Sequence, residues 1–222
     1  MATISSPQAG QAATSASAAG AAPSGRITAN PAPLGLCGFG ITTLVLSVIN
    51  ANLVSSAATP VVLGLAVAYG GLAQFLAGMW EFRTGNTFGA VAFTSYGAFW
   101  ISYFVLVSFD AKLLAPAGVG SALGLYLWAW AIFTGMLFLC SLAGNRAVSA
   151  VLGLLTVTYL CLGIGASGAH TLAQVTSASM THIGGWVGIV TAAAALYTAA
   201  GEIMAYAYKH DVLPLGRPTP RG

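Results

Sequence analysis

The chain has 222 residues, of which 57% are apolar and only 5% are Asp, Glu, Lys or Arg. A soluble domain carries roughly a quarter charged residues, so no water-facing surface can be assembled from this composition and the solvent of the chain is lipid. The net charge of +3 comes from basic residues scattered singly between apolar segments; with no patch or stripe among them, nucleic acid is excluded as a partner.

Residues 1–29 are mostly Ala, Ser, Gly, Gln and Thr, with one charge at Arg26. This offers too little bulky apolar surface to fold, and it lacks both the basic start and the Leu/Val-rich core of a signal peptide. A disordered cytoplasmic tail, retained on the mature protein, is expected.

A helix needs roughly 20 apolar residues to cross about 30 Å of hydrocarbon. Six segments reach that length, near 34–54, 60–82, 87–109, 119–141, 147–166 and 183–208. The separators carry the punctuation: Ser55–Thr59 before Pro60, Arg83-Thr84-Gly85-Asn86, Asp110–Gly118, Gly144-Asn145-Arg146 and Ser167–His182. The expected fold class is an all-α membrane protein with six transmembrane helices over 30–210 and a short cytoplasmic tail over 211–222. If the N-terminus is inside, that side collects Arg26, Arg83, Arg146, Lys209, Arg217 and Arg221, and the other side has Lys112 alone. The bias places both ends in the cytoplasm and the protein in the plasma or inner membrane.

At the head of the first span stands Asn30-Pro31-Ala32-Pro33-Leu34-Gly35-Leu36. Asn30 suits a helix cap and Pro31 a first turn; the second proline and the glycines that follow point to a fixed entry angle and close contact with a neighbour. Between the second and third spans, Gly85 suits a C-cap and Asn86 or Thr87 an N-cap. Gln74 lies two turns before Glu81, so the two share a helix face. A glutamine in mid-span marks an interhelical hydrogen bond or a solute path. Glycine pairs such as Gly70-Gly71, Gly120-x-x-x-Gly124 and Gly184-Gly185-x-x-Gly188 are read as helix packing, within one bundle or between subunits.

The Asn30–Leu36 heptad and the stretch from Gly85-Asn86-Thr87-Phe88-Gly89 to Phe93-Thr94-Ser95-Tyr96-Gly97-Ala98-Phe99-Trp100 resemble the acetate uptake transporter family. The similarity extends through Tyr126-Leu127-x-x-Trp130, Gly185-Trp186-x-Gly188 and Gly201-Glu202, and so leaves out only the two tails. The resemblance implies a six-helix protomer in a ring-shaped homohexamer, each protomer with its own path for acetate and, in some members, succinate. It also implies a constriction of that path, which maps onto Phe39, Tyr96 and Leu155.

A carboxylate entering an apolar pore loses hydration worth several kcal/mol unless donors replace it or a proton neutralises it. Candidate donors are Asn50, Gln74, Thr42, Thr43, Thr94, Ser95 and the Tyr96 hydroxyl. No Lys or Arg lies mid-span, which suits rapid release of an anion. Candidates for proton coupling are Glu81, whose ordinary reading is a helix-end pair with Arg83, and Glu202, one to two turns from Lys209. His170, His182 and His210 border loops, as solvated imidazoles do.

Cys37, Cys140 and Cys161 are odd in number, at unrelated spacings in apolar stretches, and read as small packing residues rather than disulfides or metal ligands. With no Gly-rich phosphate loop, no clustered ligand set and no nucleophile elbow, an enzyme is not expected, nor is a metal or cofactor. The leading function is transport of acetate and related short carboxylates, as proton-coupled symporter or anion channel. The alternative is a non-conducting membrane sensor or structural oligomer of the same fold. The two differ in whether Asn50, Gln74, Thr94 and Tyr96 face one continuous cavity.

Overall fold

In hydrocarbon each backbone N–H and C=O must find its partner within its own segment, so apolar runs of this length fold as helices. The computed structural model describes residues 29–217, and the tail expected over 1–29 lies almost wholly outside them. Six helices are long and apolar enough to cross a membrane: α1 (Ala32–Asn50), α2 (Ser56–Thr84), α3 (Thr87–Asp110), α4 (Gly118–Ser141), α5 (Arg146–Ala166) and α6 (Ser179–Tyr208). A short helix, Leu172–Ser177, sits between α5 and α6.

The caps follow the chemistry of the loops. Asn30 Oδ1 accepts from Ala32 N at 3.0 Å, and Asn86 Oδ1 from Gly89 N at 3.1 Å. Gly85 ends α2 at φ 77°, a left-handed conformation that suits glycine. The first span stops at Asn50 rather than residue 54 because Asn52 takes φ 59°, which asparagine tolerates, and turns the chain out of the helix. The second begins earlier than Pro60, since Ser55 Oγ accepts from Ala57 N at 3.3 Å and starts a 3-10 turn.

Around the bundle, α1 packs along α6, α6 along α5, α5 along α4, and α2 pairs with α3. Lipid tails supply no hydrophobic drive between helices, so contact rests on close packing at small residues. Gly185 lies against the backbone of Asn50 and Ala51, Gly78 against Thr94, and Gly97 against the backbone of Phe75. Gly185→Ala is expected to cost about 1–3 kcal/mol, because a methyl there meets main chain that cannot rotate away. A thermal midpoint in detergent lowered by several degrees would show it; an unchanged midpoint would mean that α1 and α6 have room to part.

Two segments wind as π-helix, Ala68–Ala73 in α2 and Leu106–Asp110 in α3. An extra residue in a turn rotates the following helix face by about 100°. Gln74 comes directly after the first of them and, with Glu81 seven residues on, is buried: Gln74 is 0% and Glu81 1% exposed. Helices α3 and α4 meet largely through aromatic side chains. Tyr126 donates to the Phe99 carbonyl at 3.1 Å, while Phe99 and Trp130 sit edge to face with centroids 5.0 Å apart.

Over its described part, the C-terminal tail folds back on the bundle. After Lys209, at φ 62°, residues 211–217 return along the bundle end. Arg146 N donates to Gly216 O at 3.2 Å, and Ala147 N to both Leu215 O at 3.1 Å and Asn145 Oδ1 at 2.9 Å, which supplies acceptors to the first free N–H groups of α5. Leu215 is buried against Gly201, and Tyr197 donates to the Pro214 carbonyl at 3.2 Å.

Candidate functional site

Apart from an open groove of about 430 Å³ beside Pro214, Leu215 and Gly216, two cavities among the described residues lie within the bundle. The larger, about 420 Å³, is at the end where α1 finishes and α2 and α6 begin; its wall includes Thr43, Ser47, Asn50, Thr59, Trp100 and Thr181. The smaller, about 110 Å³, is at the opposite end, where α1 and α5 begin and α6 finishes; its wall includes Gln74, Asn86, Thr198 and Glu202. Phe39 and Leu155 belong to both walls, and Tyr96 to the smaller. The three are 5%, 3% and 3% exposed, and the rings of Phe39 and Tyr96 are 5.9 Å apart, so an apolar and aromatic neck separates the two spaces.

Seven donors were candidates from sequence, and the fold sorts them. Asn50 and Thr43 line the larger cavity and Gln74 the smaller. Both polar atoms of the Gln74 amide, and Thr43 Oγ1, have no hydrogen-bond partner among the described residues. Thr42 donates to the Gly38 carbonyl at 2.8 Å and packs on Gly70, Thr94 packs on Gly78, and Ser95 is half-buried; none of the three lines either cavity. The Tyr96 hydroxyl donates to Thr134 Oγ1 at 3.0 Å, so its ring faces the small cavity while its donor is spent on α4.

Two residues of the larger cavity were missed. Trp100 Nε1 and Thr181 Oγ1 are buried, line that space and lack partners among the described residues. Trp100 stands four residues after Tyr96, hence on the same helix face, which was a usable signal. Thr181 lies in a run of Ser and Thr at the head of α6, where nothing in the sequence separates it from its neighbours.

Neither glutamate has the basic partner expected of it. Glu81 turns away from the exposed Arg83: its Oε2 accepts from Thr84 Oγ1 and Asn86 Nδ2, each at 3.0 Å, and its Oε1 has no partner among the described residues. Asn86 in turn lines the small cavity, so Glu81 lies one side chain behind that wall. Glu202 lines the cavity itself, is 3.0 Å from the Arg217 guanidinium and accepts from Asn30 Nδ2 at 3.4 Å. Lys209, the partner expected for Glu202, instead sits over the Tyr206 ring at 4.2 Å.

This arrangement can be set beside known proteins. The model of the GPR1/FUN34/yaaH family matches residues 13–214. The chain belongs to that family. It is 39% identical over 188 residues to the succinate-acetate/proton symporter SatP of Escherichia coli K12, which covers 85% of this chain and 95% of that one. It is 37% identical over 196 residues to acetate permease A of Emericella nidulans, covering 84% of this chain and 65% of the relative. Among solved structures, one described as the bacterial acetate channel SatP superposes with a TM-score of 0.74 at 38% identity, over 85% of this chain and 99% of that one. These family members are transporters or channels rather than enzymes, and with six apolar helices the chain is a multi-pass membrane protein.

Proposed function

We propose that the chain carries acetate and related short carboxylates, succinate among them, along the axis that joins its two cavities through the neck of Phe39, Tyr96 and Leu155. The observation that carries this reading is that Phe39 and Leu155 are shared by both walls. The relatives named for acetate and succinate supply the substrate class.

At the larger end, Thr43, Trp100 and Thr181 offer neutral donors to an arriving carboxylate; beyond the neck, the Gln74 amide takes it up. No Lys or Arg is among the described residues on either wall. Neutral donors offset desolvation without the tight hold of a fixed cation, so the anion leaves as readily as it enters. Gln74→Ala is expected to lower acetate flux about tenfold or more, since a hydrogen bond to a charged group contributes roughly 1.5–3 kcal/mol. Initial rates in proteoliposomes measure this, and an unaltered rate would take Gln74 off the path.

Net uptake of an anion that dominates at neutral pH needs an energy source, and we assign proton coupling to Glu81. It has no cationic partner among the described residues, and its unpartnered Oε1 offers a place for a proton one side chain behind the path. The charge bias of the loops supports an orientation with both termini in the cytoplasm, and a hexameric ring of such protomers belongs to the same reading.

The test is uptake of radiolabelled acetate into liposomes holding the purified protein, with and without an inward proton gradient, beside protein-free liposomes. Gradient-driven accumulation above the protein-free level supports coupled transport. Equilibration indifferent to the gradient indicates a channel, and no excess flux would turn the reading to a non-conducting sensor.

A further inference from the structure

The described end of the chain brings a cation to a carboxylate path whose walls hold no Lys or Arg among the described residues. Asp211–Arg217 is held on the bundle by two main-chain hydrogen bonds from α5, by the Tyr197 hydroxyl and by buried Leu215. That docking sets the Arg217 guanidinium 3.0 Å from Glu202 Oε1, and Glu202 forms part of the small cavity's wall. Asp211 holds the other side of the same guanidinium. Glu202 also accepts from the neutral Asn30 at the head of α1; the stem of Arg146 of α5 packs on Gly216, next to Arg217 in the chain, and Glu81 of α2 lies behind Asn86, which lines the same cavity.

A bare carboxylate on this wall would repel the anion that the path is built to carry. A like charge lining the cavity, at an effective dielectric of about 20, lowers anion occupancy roughly tenfold or more. We propose that Arg217 is the charge-compensating residue of this end of the path: by pairing with Glu202, which lines the cavity where the exposed Asp211 does not, it makes the small cavity passable to carboxylate anions. The inference rests on the transport reading above and adds a residue to it. Arg217 does not touch substrate in this role; it acts through Glu202, so its effect must vanish when Glu202 loses its charge.

The experiment is exchange of labelled acetate in proteoliposomes at neutral pH, equal on both sides so that coupling plays no part. Wild-type protein, R217Q, R217K and the double variant E202Q/R217Q are compared with protein-free vesicles, each variant checked for a monodisperse peak in detergent. The expected result is a fall of about tenfold in R217Q, little loss in R217K and recovery in the double variant. Unchanged exchange in R217Q would overturn the inference. So would a loss that E202Q fails to restore, which would leave Arg217 a fastener of the C-terminal segment. Wild-type exchange no faster than in protein-free vesicles would instead overturn the transport reading, and this inference with it.

Discussion

Leu155→Ala and Phe39→Ala are each expected to raise the flux of succinate relative to acetate by about tenfold. Both side chains are nearly fully buried and belong to the walls of both cavities. Removing either joins a space of about 420 Å³ to one of about 110 Å³ through a wider opening. Acetate already passes the neck on this reading, so it gains little, whereas a four-carbon dicarboxylate is limited there by bulk. A tenfold change corresponds to about 1.4 kcal/mol of barrier, well within what the removal of a tightly packed side chain can supply. The same truncations cost about 2–5 kcal/mol of stability, so each variant must first be shown folded. Competition between labelled acetate and unlabelled succinate reads the ratio. An unchanged ratio in both folded variants would take Phe39 and Leu155 out of the path.

The second large effect belongs to Glu81. In Glu81→Gln, accumulation of acetate under an inward proton gradient is expected to fall to the equilibrium level, while exchange without a gradient persists. The amide oxygen of glutamine can still accept from Thr84 and Asn86, so the turn between α2 and α3 keeps its hydrogen bonds. What it loses is a group that takes up and gives back a proton. Full gradient-driven accumulation in this variant would leave Glu81 as a helix-end acceptor only.

The spans were legible because length and hydropathy alone decide them once lipid is the solvent. Gly85, Asn86 and Asn30 were legible for a local reason: their turn and cap chemistry needs only neighbours in sequence. The π-helical turn at Ala68–Ala73 was not, since Ala-Tyr-Gly-Gly-Leu-Ala reads as unbroken apolar helix and the change of hydrogen-bond register leaves no mark in composition. Thr42 and Thr94 share residue type with Thr43, yet which of the three faces a cavity depends on how close Gly70 and Gly78 let the neighbouring helices come. The environments of the glutamates failed for a related reason. Nearness in sequence favoured Arg83 and Lys209, whereas Glu81 Oε2 accepts from Thr84 and Asn86 and Glu202 is met by a cation that arrives through a returning segment.

That returning segment also bears on how the protein is made. Leu215 and Gly216 give their carbonyl oxygens to the start of α5, yet they leave the ribosome after all six spans have been synthesised. The fifth helix is therefore inserted with its first turn open and completed last. A chain truncated before Leu215 would retain every hydrophobic span and still lack the clasp that holds α5 to the end of α6, so expression level and membrane insertion would be poor guides to whether it had matured.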